Sequence, residues 1–194
     1  MDFDLRRSLR ALKPQKRTRP LERRPDAELR WADGELPIGR PLLLDTCVYL
    51  DVLQARSPVA VDELVARRTC HHSAVCLAEL THVFGRLDPT HAGTAAILDA
   101  VGETIADMPD HRLHAPGVAL WGQAGMLAGE LLRRGGLQKG TGQEQRFLND
   151  ALVFLQAGAL GLAVLTRNLR DFDWLQQLVP SVEVLFYRAA VGLA

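Results

Sequence analysis

Short, unbroken apolar runs alternate with longer segments of helical period along this chain. Pro41-Leu42-Leu43-Leu44, stopped by Asp45, predicts a buried strand, and Thr46 to Ala55 reads as the helix after it. Ala60 to Arg68 predicts a second short helix and Thr69 to His72 a second strand. Ser73 is a good N-cap for a helix to about Arg86, since its hydroxyl can accept from a free backbone N–H in the first turn. Helices are expected over Thr90 to Met108 and Gly117 to Arg134, the latter closed by Gly135-Gly136. A Gly-rich loop follows from 137 to 144. Leu148, Ala151, Leu152 and Leu155 then fall on one face of a helix from about Arg146 to Ala159. Gly161 resets the chain before a third strand at Leu162 to Leu165, and Val182 to Tyr187 predicts a fourth. Apolar strands that alternate with helices, without hairpins, imply a parallel sheet covered on both faces. The expected fold class is therefore α/β, a three-layer α/β/α sandwich.

Residues 1–40 differ in kind. They hold Pro14, Pro20, Pro25 and Pro37 and dense charge, with little apolar period beyond a short helix allowed at Asp4 to Leu12. This segment reads as an N-terminal extension, and residues 41–194 as the folded domain. The whole chain of 194 residues has a formal net charge of zero. Nine arginines and lysines nevertheless crowd the stretch from Leu5 to Arg24, with Glu22 the only acid among them. Such an arm suits a tail that steers RNA phosphates, a solvated, disordered tail with no partner, or one that lies on its own acidic body.

The chain has no apolar run long enough to span a membrane and no secretory h-region near its start, which leads to an expectation of a cytoplasmic protein with no membrane role. Three cysteines, Cys47, Cys70 and Cys76, do not make a disulfide framework. Cys70-His71-His72 invites a zinc reading. Neighbours on an extended chain face opposite ways, however, and no second ligand cluster stands at zinc-finger spacing.

The informative chemistry lies where charge is missing. Asp45 is the only charged residue from Pro41 to Leu50, Glu79 the only one from Ser73 to Gly85 (histidines aside), and Asp150 the only one from Phe147 to Thr166. Each acid sits in a segment that otherwise reads as core, and a buried carboxylate is costly unless paired or bound to a cation. Asp45 closes a strand, Asp150 is placed in the first turn of its helix, and Glu79 lies about two turns into its own. No basic residue stands close in sequence to neutralise them. Two unscreened charges about 4 Å apart repel by roughly 4 kcal/mol at an effective dielectric near 20. A hard dication with oxygen ligands, magnesium or manganese (Mg2+ or Mn2+), removes that repulsion. Asp45 and Asp150 could equally cap helices. A fourth contributor is sought among Asn168, Asp171 and Asp173, with Asp171 preferred over a simple turn. Arg133, Arg134, Lys139, Arg146 and Arg167 are candidates for holding a phosphate backbone.

Leu43-Leu44-Asp45-Thr46-Cys47-Val48-Tyr49-Leu50 resembles the opening strand of PIN domains. Ser73 to Leu80 resembles the segment that carries that family's glutamate. Asn149-Asp150-Ala151, an apolar helix and then Leu165 to Phe172 are similar to the C-terminal half of PIN-domain ribonucleases of the VapC toxin type. The resemblance runs from about Pro41 to Tyr187. It implies an α/β/α sandwich, a metal-dependent endoribonuclease acting on an RNA substrate, a homodimer, and inhibition by a cognate antitoxin. It also implies Asp45, Glu79 and Asp150 as catalytic metal ligands, Asp171 as a second-site or water-mediated ligand, and Thr46 and Thr166 as polar lining. Cys47 departs from the family's frequent asparagine, and residues 1–40 lie outside the family core. The alternative is a PIN-like RNA- or protein-binding module without catalysis.

Overall fold

A computed structural model describes residues 3–136 and 142–190. Most of the predicted loop at 137–144 and the end of the 41–194 domain lie outside these. Five parallel strands, β1 (Leu42–Leu44), β2 (Cys70–Ser73), β3 (Leu113–His114), β4 (Ala163–Thr166) and β5 (Glu183–Phe186), form one sheet in the order β3-β2-β1-β4-β5. Leu42, Leu43 and Leu44 are all buried, as are Ala163 to Thr166. Successive side chains of a strand point to opposite faces, so helices must cover both. The expected three-layer α/β/α sandwich is the fold observed.

The helices are α1 (Leu5–Leu12), α2 (Thr46–Leu53), α3 (Val59–Arg67), α4 (Ala74–Arg86), α5 (Thr94–Ala106), α6 (Val118–Arg134), α7 (Gln143–Leu160) and α8 (Leu169–Leu178). Ser73 caps α4 as anticipated, accepting from the Val75 N–H at 3.2 Å. Gly161 ends α7 at φ +70°, a left-handed turn that glycine takes without a Cβ clash, and the chain enters β4 directly. Three expectations need correction. β3, only two residues long, is a fifth strand that no apolar run announces. α7 starts at Gln143, so Asp150 lies two turns in and cannot be its cap. The polar stretch after β4 is a helix, α8, capped by Asn168 rather than an open turn.

Residues 3–40 form a strap across the body. Asp4 caps α1 through the Arg7 N–H at 2.9 Å, and Leu12, Leu21, Leu29 and Ala32 enter the common core. The Leu21 N–H donates to the Arg134 carbonyl, the Phe186 N–H donates to the Arg30 carbonyl, and Trp31 forms a parallel bridge with Phe186. Arg24 meets Asp173 at 2.5 Å and Arg17 meets Glu130 at 3.5 Å, both acids having side chains sealed from solvent. Two of the basic residues offered for RNA thus serve the chain's own buried acids, and Arg23 is paired with Asp26. Among the described residues no helix is long and apolar enough to cross a membrane.

Candidate functional site

β1 and β4 are neighbours, yet the chain leaves them for opposite edges of the sheet, toward β2 and β5. A crevice opens at the carboxyl ends of strands where the order reverses in this way. Asp45 stands at that point. Its N–H donates to the Leu165 carbonyl at 3.1 Å, which ties it to the adjacent strand. Its Oδ1 accepts from the Thr46 N–H at 2.8 Å and caps α2, while Oδ2 accepts from Thr166 Oγ1 at 2.6 Å and from the Cys47 thiol at 3.0 Å. Capping and membership of the site are one arrangement here, not rivals.

Glu79, on α4, accepts from Asn149 Nδ2 at 2.6 Å and from the Thr46 hydroxyl. Asn168 donates its backbone N–H to Thr166 Oγ1 at 2.9 Å, and its side-chain amide reaches Asp150 at 3.0 Å and Asp171 at 3.1 Å. A network of Thr46, Asn149, Thr166 and Asn168 therefore joins all four predicted acids. Asn149 was not foreseen, although its place beside Asp150 was the available signal.

The acids differ in charge environment. Burial raises the Asp45 carboxyl above its ordinary value, and the nearby Glu79 adds to the rise. Asp150 is driven well above the carboxylate range, by burial first and then by repulsion from Asp45 and Asp171. Arg146, one turn earlier on α7, stands 3.9 Å from Asp150, which corrects the expectation of no basic neighbour in sequence. Asp171 goes the other way. Burial would raise it, but Arg170 at 2.8 Å, Arg146 and Asn168 together hold it below its usual value. Cys47 is a half-buried thiol pushed well up by desolvation and by Asp45, so it remains a neutral donor.

Asp45, Glu79 and Asp150 bring oxygen donors; among the described residues Asp45 and Glu79 pair with no guanidinium, and Asp150 meets Arg146 only at 3.9 Å. That donor set suits a hard cation. Asp171 has its oxygens engaged by two arginines and Asn168, and is better described as an anchor for those arginines than as an open ligand. Among the described residues, no three His, Cys, Asp or Glu side chains form a group able to hold a metal ion as they stand. The threonine and asparagine hydrogen bonds lie between the acids.

Other expected contributors are placed elsewhere. Asp173 is sealed against Arg24 and Gln177, away from the network. Arg133 and Arg134 bind carbonyls of the strap. Lys139 lies outside the described residues. Arg146 and Arg167 do flank the site, with Arg170, which sequence reasoning passed over. Asp51 was also missed. It is fully buried and accepts from Tyr187 at 2.9 Å, with Arg167 2.7 Å away. Cys70-His71-His72 is ordinary β2, where His71 meets His114 at 2.9 Å and His72 meets the Tyr49 hydroxyl at 2.7 Å.

Fold and site together define an α/β/α protein with buried carboxylates at the switch point of a parallel sheet. The model of no protein family matches the chain, nor does any curated protein. Among solved structures, a chain of FitAcB from Neisseria gonorrhoeae matches at TM-score 0.51 and 17% identity, over 74% of this chain and 96% of that one. A chain of VapBC2 from Rickettsia felis, bound to a DNA fragment from their promoter, matches at TM-score 0.49 and 16% identity, over 75% of this chain and 98% of that one. A chain of DNA-bound VapBC from Salmonella typhimurium matches at TM-score 0.46 and 21% identity, over 75% and 97%. What this chain shares with the FitAcB chain is its fold.

Proposed function

We propose that this chain is a divalent-metal-dependent endoribonuclease of the VapC PIN type, a hydrolase of RNA phosphodiester bonds. The observation that carries the reading is the pair Asp45 and Asp150. Both are buried at the carboxyl edge of the sheet, and both are raised by burial and by neighbouring acids. Ionised together, such a pair is costly to bury, and a cation that joins it removes the cost. Asp45, Glu79 and Asp150 would hold magnesium or manganese, and the ion would supply an activated water and offset charge on the phosphate. The chain's own residues do the positioning. Thr166 and Cys47 aim Asp45, Thr46 and Asn149 aim Glu79, and Asn168 aims Asp150. Arg146 and Arg170, fixed by Asp171, direct positive charge at the approach to the acids.

The resemblance adds a cognate antitoxin, a homodimer and a cytoplasmic setting to this proposal. The measurement is cleavage of labelled single-stranded RNA with Mn2+ or Mg2+, beside DNA of the same sequence and a chelated control. Asp45→Asn and Asp150→Asn should each lower the rate by more than the roughly 10–100-fold typical of outer-shell changes, with the fold unaltered. Wild-type cleavage by both variants would sink the assignment. One observation favours a second reading, a binding module without catalysis: the acids are already satisfied by neutral donors. Under that reading RNA binds equally well with and without the dication, and no cleavage is seen.

A further inference from the structure

Two unlike hollows adjoin the acid network, and each is lined in part by its residues. The first is a cavity of about 590 Å³ between α4, α6 and the start of α7, a size typical of small-ligand sites. Val75, Ala78, Pro116 and Trp121 make it apolar, and Glu79 and Asn149 form its inner wall. Trp121 is 47% exposed, which is unusual for so large an apolar ring. The second hollow, about 540 Å³, is lined by Asn168 and Cys47 together with Arg146, Arg167 and Arg170. These arginine side chains are 38–50% exposed, while the acids they pair with, Asp171 and Asp51, are sealed. The buried acids orient the arginines, and the positive charge faces outward.

We infer that the two hollows are paired subsites for one single-stranded RNA: an unpaired base stacks on Trp121 in the apolar cavity, and the adjoining backbone phosphate lies in the arginine cleft. The inference rests on the ribonuclease reading and deepens it. An aromatic face accepts any base, so the pocket demands an unstacked nucleotide rather than a sequence. Glu79 and Asn149 belong to both the cavity wall and the acid network, so a base held there brings its own phosphodiester to the carboxylates. A protein helix is the rival occupant of an apolar groove. It gives no reason for three oriented guanidiniums beside the same acid network.

The test uses the intact protein in chelator, so that binding is read without cleavage. A short, labelled, mixed-sequence oligoribonucleotide is compared by anisotropy with an abasic oligomer of the same length. Trp121→Ala should weaken binding of the base-bearing oligomer by about tenfold, within the range for loss of one base–aromatic stack. Trp121→Phe should restore most of it. The abasic oligomer should bind weakly, with strong salt dependence, and equally to wild type and Trp121→Ala. Equal affinity of wild type for both oligomers overturns the inference, as does unchanged binding by a folded Trp121→Ala, or no binding of either oligomer. The ribonuclease reading fails separately. Base-dependent binding without cleavage in Mn2+ keeps the pocket and removes the hydrolase. Cleavage with no response to bases does the reverse.

Discussion

At Asp150, burial and like charge act in the same direction, and the consequence is measurable without any substrate. A carboxyl group whose folded pKa lies above its ordinary 3.8 is easiest to bury in the protonated form. Its favourable contribution is complete below pH 3.8 and is lost as pH rises through the raised folded value. In chelator, Asp150→Asn should therefore match wild type in acid and become progressively more stable than it toward neutrality. Urea midpoints across pH give the comparison, and a difference that shrinks on raising pH would refute the assignment. His72 acts in the opposite sense over part of the range. Burial lowers it from 6.5 to about 4, so its contribution is present above pH 6.5 and disappears as pH falls toward 4. Both proteins contain His72, and the difference between them cancels it. At this scale the sequence was informative because Asp45, Glu79 and Asp150 stand alone in apolar segments. Asp171 and Asp173 sit among other charges, where no apolar run marks burial, yet both are sealed. Asp171 also meets its neighbour Arg170, but Arg146 and Arg24 reach Asp171 and Asp173 from other elements, and local pattern holds no trace of those two pairings.

The elements separate along the same line. β1, β4 and α4 were legible because each carries an apolar run or a clear cap, whereas β3 is too short to show a period and α8 hides its buried face behind acids. The strap takes one of the alternatives open to it and lies on its own acidic body. Its charge density reads as a solvated tail, but Leu12, Leu21 and Leu29 are buried and its arginines close over Asp173 and Glu130. Removing one partner of a buried ion pair strands the other charge. Arg24 is partly exposed, so Arg24→Ala should cost at the low end of that effect, about 3 kcal/mol by urea denaturation. Arg10→Ala, an exposed position whose neighbours on the strap include no acid, should change stability by less than about 0.5 kcal/mol. Equal, small effects would mean that the strap is not part of the core. A truncation at residue 40 consequently removes structure as well as charge, and loss of RNA binding in such a variant would not by itself identify an RNA-binding tail.

For the whole molecule, the sheet and the site are coupled through one cost. Strands β1 and β4 converge where they do because their leucines, alanines and valines are buried on both faces, and that convergence forces Asp45 toward acids from α4 and α7. The protein without a cation should be less stable at neutral pH than its core allows, and a dication that binds only the folded state should return that stability. By mass action a hundredfold excess over Kd adds about 2.7 kcal/mol. For a chain of this size that is roughly 5–10 °C in Tm. The shift should appear with Mn2+ at neutral pH and vanish with chelator. It should shrink in mild acid, where protons occupy the same carboxylates, and be absent in Asp150→Asn. A Tm indifferent to Mn2+ in wild type, or an equal shift in the variant, would leave the buried acids without the role proposed for them, because a cation indifferent to Asp150 cannot be what offsets the repulsion there.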